Sequence, residues 1–217
     1  MTASTVSPAE VDRFNALADR WWDRAGPMRP LHAMNPARIA WIAARCAPAA
    51  GQRLLDVGCG AGLAAEALAQ RGFNVLGIDA AEDVIAAARA HGGTAGPEYR
   101  VAAAEDILAE GARFPVITAL EVIEHVPDPA AFVEVLVALL APGGKLFMST
   151  LNRTTRSLLI AKLGAEYVLR LLPVGTHDWR QICHRSSWGR CCARRVRASP
   201  IPPVSRPGRR AGGRRGI

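Results

Sequence analysis

No stretch of this 217-residue sequence reaches the ~18 consecutive apolar residues that a helix needs to cross a bilayer, which argues against a membrane-spanning segment. The opening residues, MTASTVSPAEVDRFNALADRWWD, lack the basic start and apolar block of a signal peptide, so a cytoplasmic location is the expectation. Cysteine is scarce. Of five, Cys46 and Cys59 lie in the body of the chain and Cys183, Cys191 and Cys192 near its end. Without a secretion signal, the two body cysteines are expected to be reduced thiols. No internal repeat is found. From Ile182 onward there is no Asp, Glu or Lys, but there are ten arginines. Those ten exceed the net charge of +8 by two, so residues 1–181 carry −2 and the basic character belongs to the tail alone. With 50% hydrophobic residues, disorder throughout is excluded, and the length fits one domain with a sizeable core.

What is present is an alternation. Residues 11–24 read as an amphipathic helix ending in a Trp-Trp pair. GPMRPLHAMNP reads as a Pro-rich turn, followed by a short helix from about Pro36 to Cys46. RLLDVGCG is a buried strand stopped by glycines, and LAAEALAQRG a helix with a glycine stop. FNVLGID, EYRVAAA, FPVITAL and GKLFMSTL read as strands; AEDVIAAARAHGG, Pro129–Leu140 and Thr155 to about Leu172 read as helices. Strands and helices alternating over short connections predict an α/β fold, a mostly parallel sheet with helices on both faces.

The first strand runs into DVGCGAG, Asp56 to Gly62. Glycines between a strand and a helix let a ligand approach the backbone closely. A dinucleotide fingerprint places its third glycine where this chain has Leu63. The earlier glycine, Gly62, resembles the tighter acidic-x-Gly-x-Gly-x-Gly loop of S-adenosylmethionine (SAM) methyltransferases. The second strand ends at Asp79, where a carboxylate can accept both ribose hydroxyls of an adenosyl ligand or cap the following helix. Glu105 or Asp106, after the third strand, is a candidate for the adenine amino group or a solvated loop acid.

Four stretches in order, RWWDRAGPMRPLHAMNPARIAWI, EVIEHVPDP, STLNRT and GAEYVLRLLPVGTHDW, resemble the ubiquinone-biosynthesis O-methyltransferases over residues 11–181. The resemblance implies a Rossmann-like class I SAM-dependent methyltransferase domain over 1–181, with residues 1–50 as an N-terminal helical cap. It implies methylation of catechol-type hydroxyls on polyprenylated ring substrates, 2-polyprenyl-6-hydroxyphenol and 3-demethylubiquinol. By position it implies that Arg38 contacts SAM, where a guanidinium fork suits the methionyl carboxylate. Gly58 lies against SAM, Asp79 holds its ribose, and Leu120 sits by the adenosyl group.

ALEVIEHVPDP places two carboxylates and an imidazole at the end of an apolar strand. Methyl transfer from a sulfonium to a phenol needs the hydroxyl proton removed. A general base or a divalent cation can do this. If a helix begins at residue 121, Glu121, Glu124 and His125 share one face and suit an octahedral Mg²⁺. The family resembles this arrangement, so the three are expected as catalytic metal ligands. The metal-free alternative keeps His125 as the general base.

RSLLIAKLGAEYVLRLLP could lie in a lipid interface, placing the protein peripherally at the inner face of the membrane, or pack as a lid. After HDWRQ the resemblance stops. Residues 182–217 are rich in Arg, Pro, Gly and Ser without apolar periodicity and are expected to be a disordered basic tail. Nucleic acid is disfavoured as its partner, because the tail replaces core strands instead of extending a finished fold. The hypothesis of a frameshift near codon 181 would account for the change, and it predicts a sheet lacking its last two strands. Two other functions stay open: another small-molecule or quinone SAM methyltransferase, and a truncated inactive chain that binds SAM without turnover.

Overall fold

The computed structural model describes residues 5–46 and 51–150. Five strands, β1 (Arg53–Val57), β2 (Asn74–Asp79), β3 (Glu98–Val101), β4 (Phe114–Leu120) and β5 (Leu140–Ser149), form one sheet in the order β3-β2-β1-β4-β5. Every pairing is parallel. Helices α1 (Pro8–Asn15), α2 (Arg29–Ala43), α3 (Leu63–Ala69), α4 (Glu82–Gly92), α5 (Ala104–Ala109) and α6 (Pro129–Ala138) accompany it.

Alternation along the strands divides the core in two. Leu54 of β1 faces Ile39 and Ile42 of α2, Leu68 of α3 and Ile85 of α4. Its neighbour Leu55 faces the opposite way, into a cluster with Ile107 of α5 and Phe132 and Leu136 of α6. A sheet buried on both faces explains the near-continuous apolar runs of β1 and β4. The predicted α/β architecture is the one observed, and Cys46 and Cys59 are both free and buried.

The chain order reverses between β1 and β4, where β1 leads outward to β2 on one side and β4 to β5 on the other. At such a switch point the loops after the two strands diverge and leave a crevice at their carboxyl ends. DVGCGAG and EVIEH, the two stretches singled out above, are those two loops.

Four local expectations differ. The helix over 11–24 divides into α1 and a 3₁₀ turn at Ala18–Arg20. The turn predicted at GPMRPLHAMNP is helical: α2 begins at Arg29 with Pro30 in its first turn and carries Pro36 inside. An internal proline costs roughly 3 kcal/mol, but the tertiary burial of Asn35, Ile39 and Ile42 holds the helix through it. AEDI, read as a loop, opens α5. The helix expected from Glu121 does not form there: Glu121 has φ 58° and only a 3₁₀ turn, Ile123–His125, follows before α6. The expectations for residues 151–217, including the lid or membrane stretch, the basic tail and the missing strands, lie outside the described residues. Among the described residues no helix is long and apolar enough to cross a membrane.

Candidate functional site

The crevice opens into a cavity of about 750 Å³, and Arg38, Gly58, Asp79, Leu120, Glu121, Glu124 and His125 all line it. Residues spread over 88 positions of sequence thus meet because three strand ends and α2 converge on one point.

The glycine loop is shaped for close approach. Gly58, Gly60 and Gly62 have φ of 65°, 55° and 89°, a region that L side chains rarely adopt. A Cβ on Gly58 would stand 2.5 Å from Val122 Cγ2, and one on Gly60 would collide with the Trp21 ring. Asp79 braces the loop: its Oδ2 accepts from Gly60 N–H at 3.0 Å and its Oδ1 from Ala81 N–H at 2.9 Å. Burial raises its carboxyl above the ordinary value, opposed by those backbone donors. Asp79 thus supports the start of α4 and also lines the cavity.

Arg38 and Asp56 line the same cavity. Arg38 donates from Nε to Asn35 Oδ1 at 3.0 Å, and Asn35 in turn donates to Leu63 O at 2.8 Å, tying α2 to the end of the glycine loop. Arg38 Nη1 is buried without a partner. Burial lowers the Arg38 pKa, while Glu121 and Asp56 act to raise it. Asp56 lies one residue before the end of β1 at 2% exposure; its Oδ1 accepts from Thr118 Oγ1 at 2.6 Å and its Oδ2 has no partner. Burial pushes its carboxyl up to about 6, against the Thr118 hydrogen bond and the Arg38 charge. An unpartnered guanidinium nitrogen and an unpartnered carboxylate oxygen on residues lining one cavity form a set that can receive a carboxylate and an ammonium. Asp56 was not singled out from sequence, although it is the acidic residue that opens the glycine motif.

The EVIEH segment differs most from expectation. Glu121 N–H donates to Ser149 O at 3.0 Å and Ser149 Oγ donates to Glu121 Oε1 at 2.7 Å, so β5 clamps Glu121 in its left-handed conformation. Glu124 is buried at 7% exposure with Oε2 unpartnered. Burial, and then the neighbouring Glu121, push its carboxyl up to about 7. His125 turns elsewhere: its Nδ1 lies 2.6 Å from Glu10 Oε2 of α1. Among the described residues no group of three His, Cys, Asp or Glu side chains converges as a metal cage. The helix-face spacing expected of Glu121, Glu124 and His125 is thus not observed: the two carboxyls are neighbours and His125 Nδ1 meets Glu10, while all three line the cavity. The left-handed turn at Glu121 breaks the i, i+3, i+4 spacing on which the triad rested.

The two adenine candidates are engaged in the fold. Asp106 Oδ2 accepts from Ala103 N–H at 2.8 Å and caps α5, and Glu105 Oε1 accepts from Thr5 N–H at 2.7 Å. The N-terminal cap is tied down at several points: Trp22 Nε1 donates to Ala61 O at 3.0 Å and its ring stacks on His91 at 3.4 Å.

A family profile described as a methyltransferase domain matches residues 31–195. The ubiquinone biosynthesis O-methyltransferase of Xanthomonas axonopodis pv. citri (strain 306) is 49% identical over 181 residues, covering 82% of this chain and 75% of the relative. The protein of the same name from Pseudomonas aeruginosa (strain UCBPP-PA14) is 48% identical over 189 residues, covering 86% and 81%. Among solved structures, the magnesium protoporphyrin IX methyltransferase of Synechocystis PCC 6803 with bound SAH aligns with a TM-score of 0.65 at 18% identity. That alignment covers 86% of this chain and 87% of that one, and it speaks for the fold. With the glycine loop on the cavity wall and these relatives in agreement, the chain belongs to the ubiquinone biosynthesis O-methyltransferase family of class I SAM-dependent methyltransferases.

Proposed function

We propose that this chain transfers the methyl group of SAM to a catechol-type hydroxyl of a polyprenylated ring, with 2-polyprenyl-6-hydroxyphenol and 3-demethylubiquinol as substrates. The observation that carries the reading is one cavity lined by Arg38, Asp56 and Asp79 together with Gly58 and Gly60 of the glycine loop and with His125. SAM supplies an electrophilic methyl on a sulfonium. Arg38 and Asp56 hold its amino-acid end and Asp79 its ribose, which fixes the direction in which the methyl faces. His125 takes the hydroxyl proton as the phenol oxygen forms its bond to carbon and the carbon–sulfur bond breaks, its electron pair passing to sulfur. The amphipathic wall of the cavity, including Val11, Phe14, Leu17 and Leu31, suits an aromatic ring with an apolar substituent.

A second reading rests on the carboxyl pair. Burial, and then the neighbouring Glu121, raise the proton affinity of Glu124, whose Oε2 is without a partner. That donor set fits a hard cation such as Mg²⁺, which would lower the phenol pKa; His125 as placed does not complete it. The isoprenoid tail also motivates peripheral contact with a bilayer through residues 156–173, which co-sedimentation with lipid vesicles tests.

SAM calorimetry combined with a catechol methylation assay tests the main reading. Calorimetric binding, with methyl transfer that persists in EDTA, is expected for the histidine route. Activity abolished by EDTA and restored by Mg²⁺ would favour the carboxyl pair as a cation site. Absence of SAM binding would defeat both.

A further inference from the structure

Trp22 stands outside the cavity, yet it holds the loop that forms one wall of it. The peptide unit between Ala61 and Gly62 is gripped at both ends. Its carbonyl oxygen accepts from Trp22 Nε1 at 3.0 Å, and its N–H, on Gly62, donates to Cys59 O at 3.1 Å. Gly62 has φ 89°. A half-turn of the peptide unit would carry that φ to the negative side, which glycine accepts as readily. The glycine therefore sets no preference, and the two hydrogen bonds select the orientation. The indole is itself held by three helices. Its face stacks on His91 of α4, with centroids 3.4 Å apart and planes at 4°, and His32 of α2 meets it at 5.8 Å and 65°. His91 Nδ1 lies 2.8 Å from Glu66 Oε1 of α3. A carboxylate only accepts, so this nitrogen donates and the imidazole is fixed in its turn.

We propose that Trp22 is a positioning residue for the cofactor loop: its indole N–H fixes the Ala61–Gly62 peptide unit and so keeps Gly58, Cys59 and Gly60, which line the cavity, in the shape that receives SAM. A loop with three glycines at positive φ has many conformations open to it, and a ligand that must first order such a loop binds more weakly. The N-terminal cap supplies the order from outside. It meets the loop and its exit at three points: the Trp21 ring fills the space of the missing Gly60 Cβ, Trp22 binds Ala61 O, and Asn35 donates to Leu63 O. Of the three, Trp22 alone takes hold of a peptide unit between two of the glycines. Cofactor and cap are thereby linked: whatever the indole contact adds to SAM affinity, bound SAM adds to the indole contact. This inference rests on the reading of DVGCGAG as the SAM loop, and the experiment separates the two.

The test is calorimetry of S-adenosylhomocysteine (SAH) on the full chain, wild type against Trp22→Phe, at a temperature where both are folded, with melting temperatures measured alongside. Phenylalanine keeps an aromatic face for His91 and removes the N–H. SAH affinity is expected to weaken by roughly threefold or more, the worth of one ordinary hydrogen bond. A smaller loss in the folded variant overturns the proposal, and a lowered melting temperature beside it would leave Trp22 a structural role only. If Trp22→Phe does not fold, hydrogen exchange of the Trp22 indole N–H in the wild type carries the test, with the resonance assigned through its contact with the His91 ring. Bound SAH is expected to slow that exchange by roughly threefold or more, the same factor, by linkage. Exchange unaffected by SAH overturns the proposal. Absence of SAH binding by the wild type would defeat the SAM reading of the loop, and the proposal with it. Intact wild-type binding with unchanged affinity in Trp22→Phe would count against Trp22 alone.

Discussion

At the scale of the residue, Asp56 and Asp79 show how one residue type at two strand ends does different work. Asp56 is raised to about 6 from an ordinary 3.8, so the ligand-free native protein binds a proton there that the unfolded chain has released. Stability of the ligand-free protein therefore falls as pH rises from about 4 through about 6. An ammonium beside Asp56 favours the ionised form, so SAM affinity is expected to strengthen over that same interval. Calorimetry at pH about 5 and about 7 should record the gain, and Asp56→Asn should flatten it. Asp79→Ala is expected to cost ~1.5–3 kcal/mol of SAM affinity through the lost ribose contact. Because Gly60 and Ala81 N–H also lose their acceptor, its melting temperature should fall too. A fall in stability with unchanged SAM affinity would leave Asp79 with its structural role only. The place of Asp79 at the end of a strand was legible in the sequence from the apolar run that it closes. Asp56 carried an equally plain signal, as the acidic start of DVGCGAG. Glu10 carried only the i, i+4 relation to Phe14, and no local pattern announces that these two will meet a histidine from β4's far end.

At the scale of the element, strands and the glycine loop were legible because apolar runs and punctuating glycines are local signals. Helix α2 was not: its prolines argued for a turn, and tertiary burial of Ile39 and Ile42 overrode them. The EVIEH segment failed in the opposite sense. Its spacing fits a helix, but Ser149 on β5 holds Glu121 at φ 58°, a constraint from a strand 28 residues away. The loop and the N-terminal cap are mutually fitted, since Gly60 has φ 55° and Trp21 occupies the space of its missing Cβ. Gly60→Ala is thus expected to destabilise the fold by about 1–3 kcal/mol in a denaturant melt, combining backbone strain with displacement of the tryptophan. A melt identical to wild type would mean that Trp21 does not pack on the loop in solution.

At the scale of the molecule, a parallel sheet with helices on both faces was legible from the alternation alone. Its convergence of α1, α2, β1, β2 and β4 on one cavity was not, because it depends on which faces the helices bury. Every described lining residue of that cavity lies at or before Phe132. Deleting residues 182–217 is therefore expected to leave SAM affinity unchanged by calorimetry, and a loss would assign the arginine-rich stretch a part in the site. The central claim is methyl transfer from SAM to a phenolic oxygen. Its most direct measurement is incubation of the purified full chain with SAM labelled with ¹³C at the methyl group and a polyprenylated catechol, followed by NMR of the product. The account predicts the label as a methoxy carbon on the ring. Label on a ring carbon, or label retained wholly in SAM by a chain that binds it, would contradict the account.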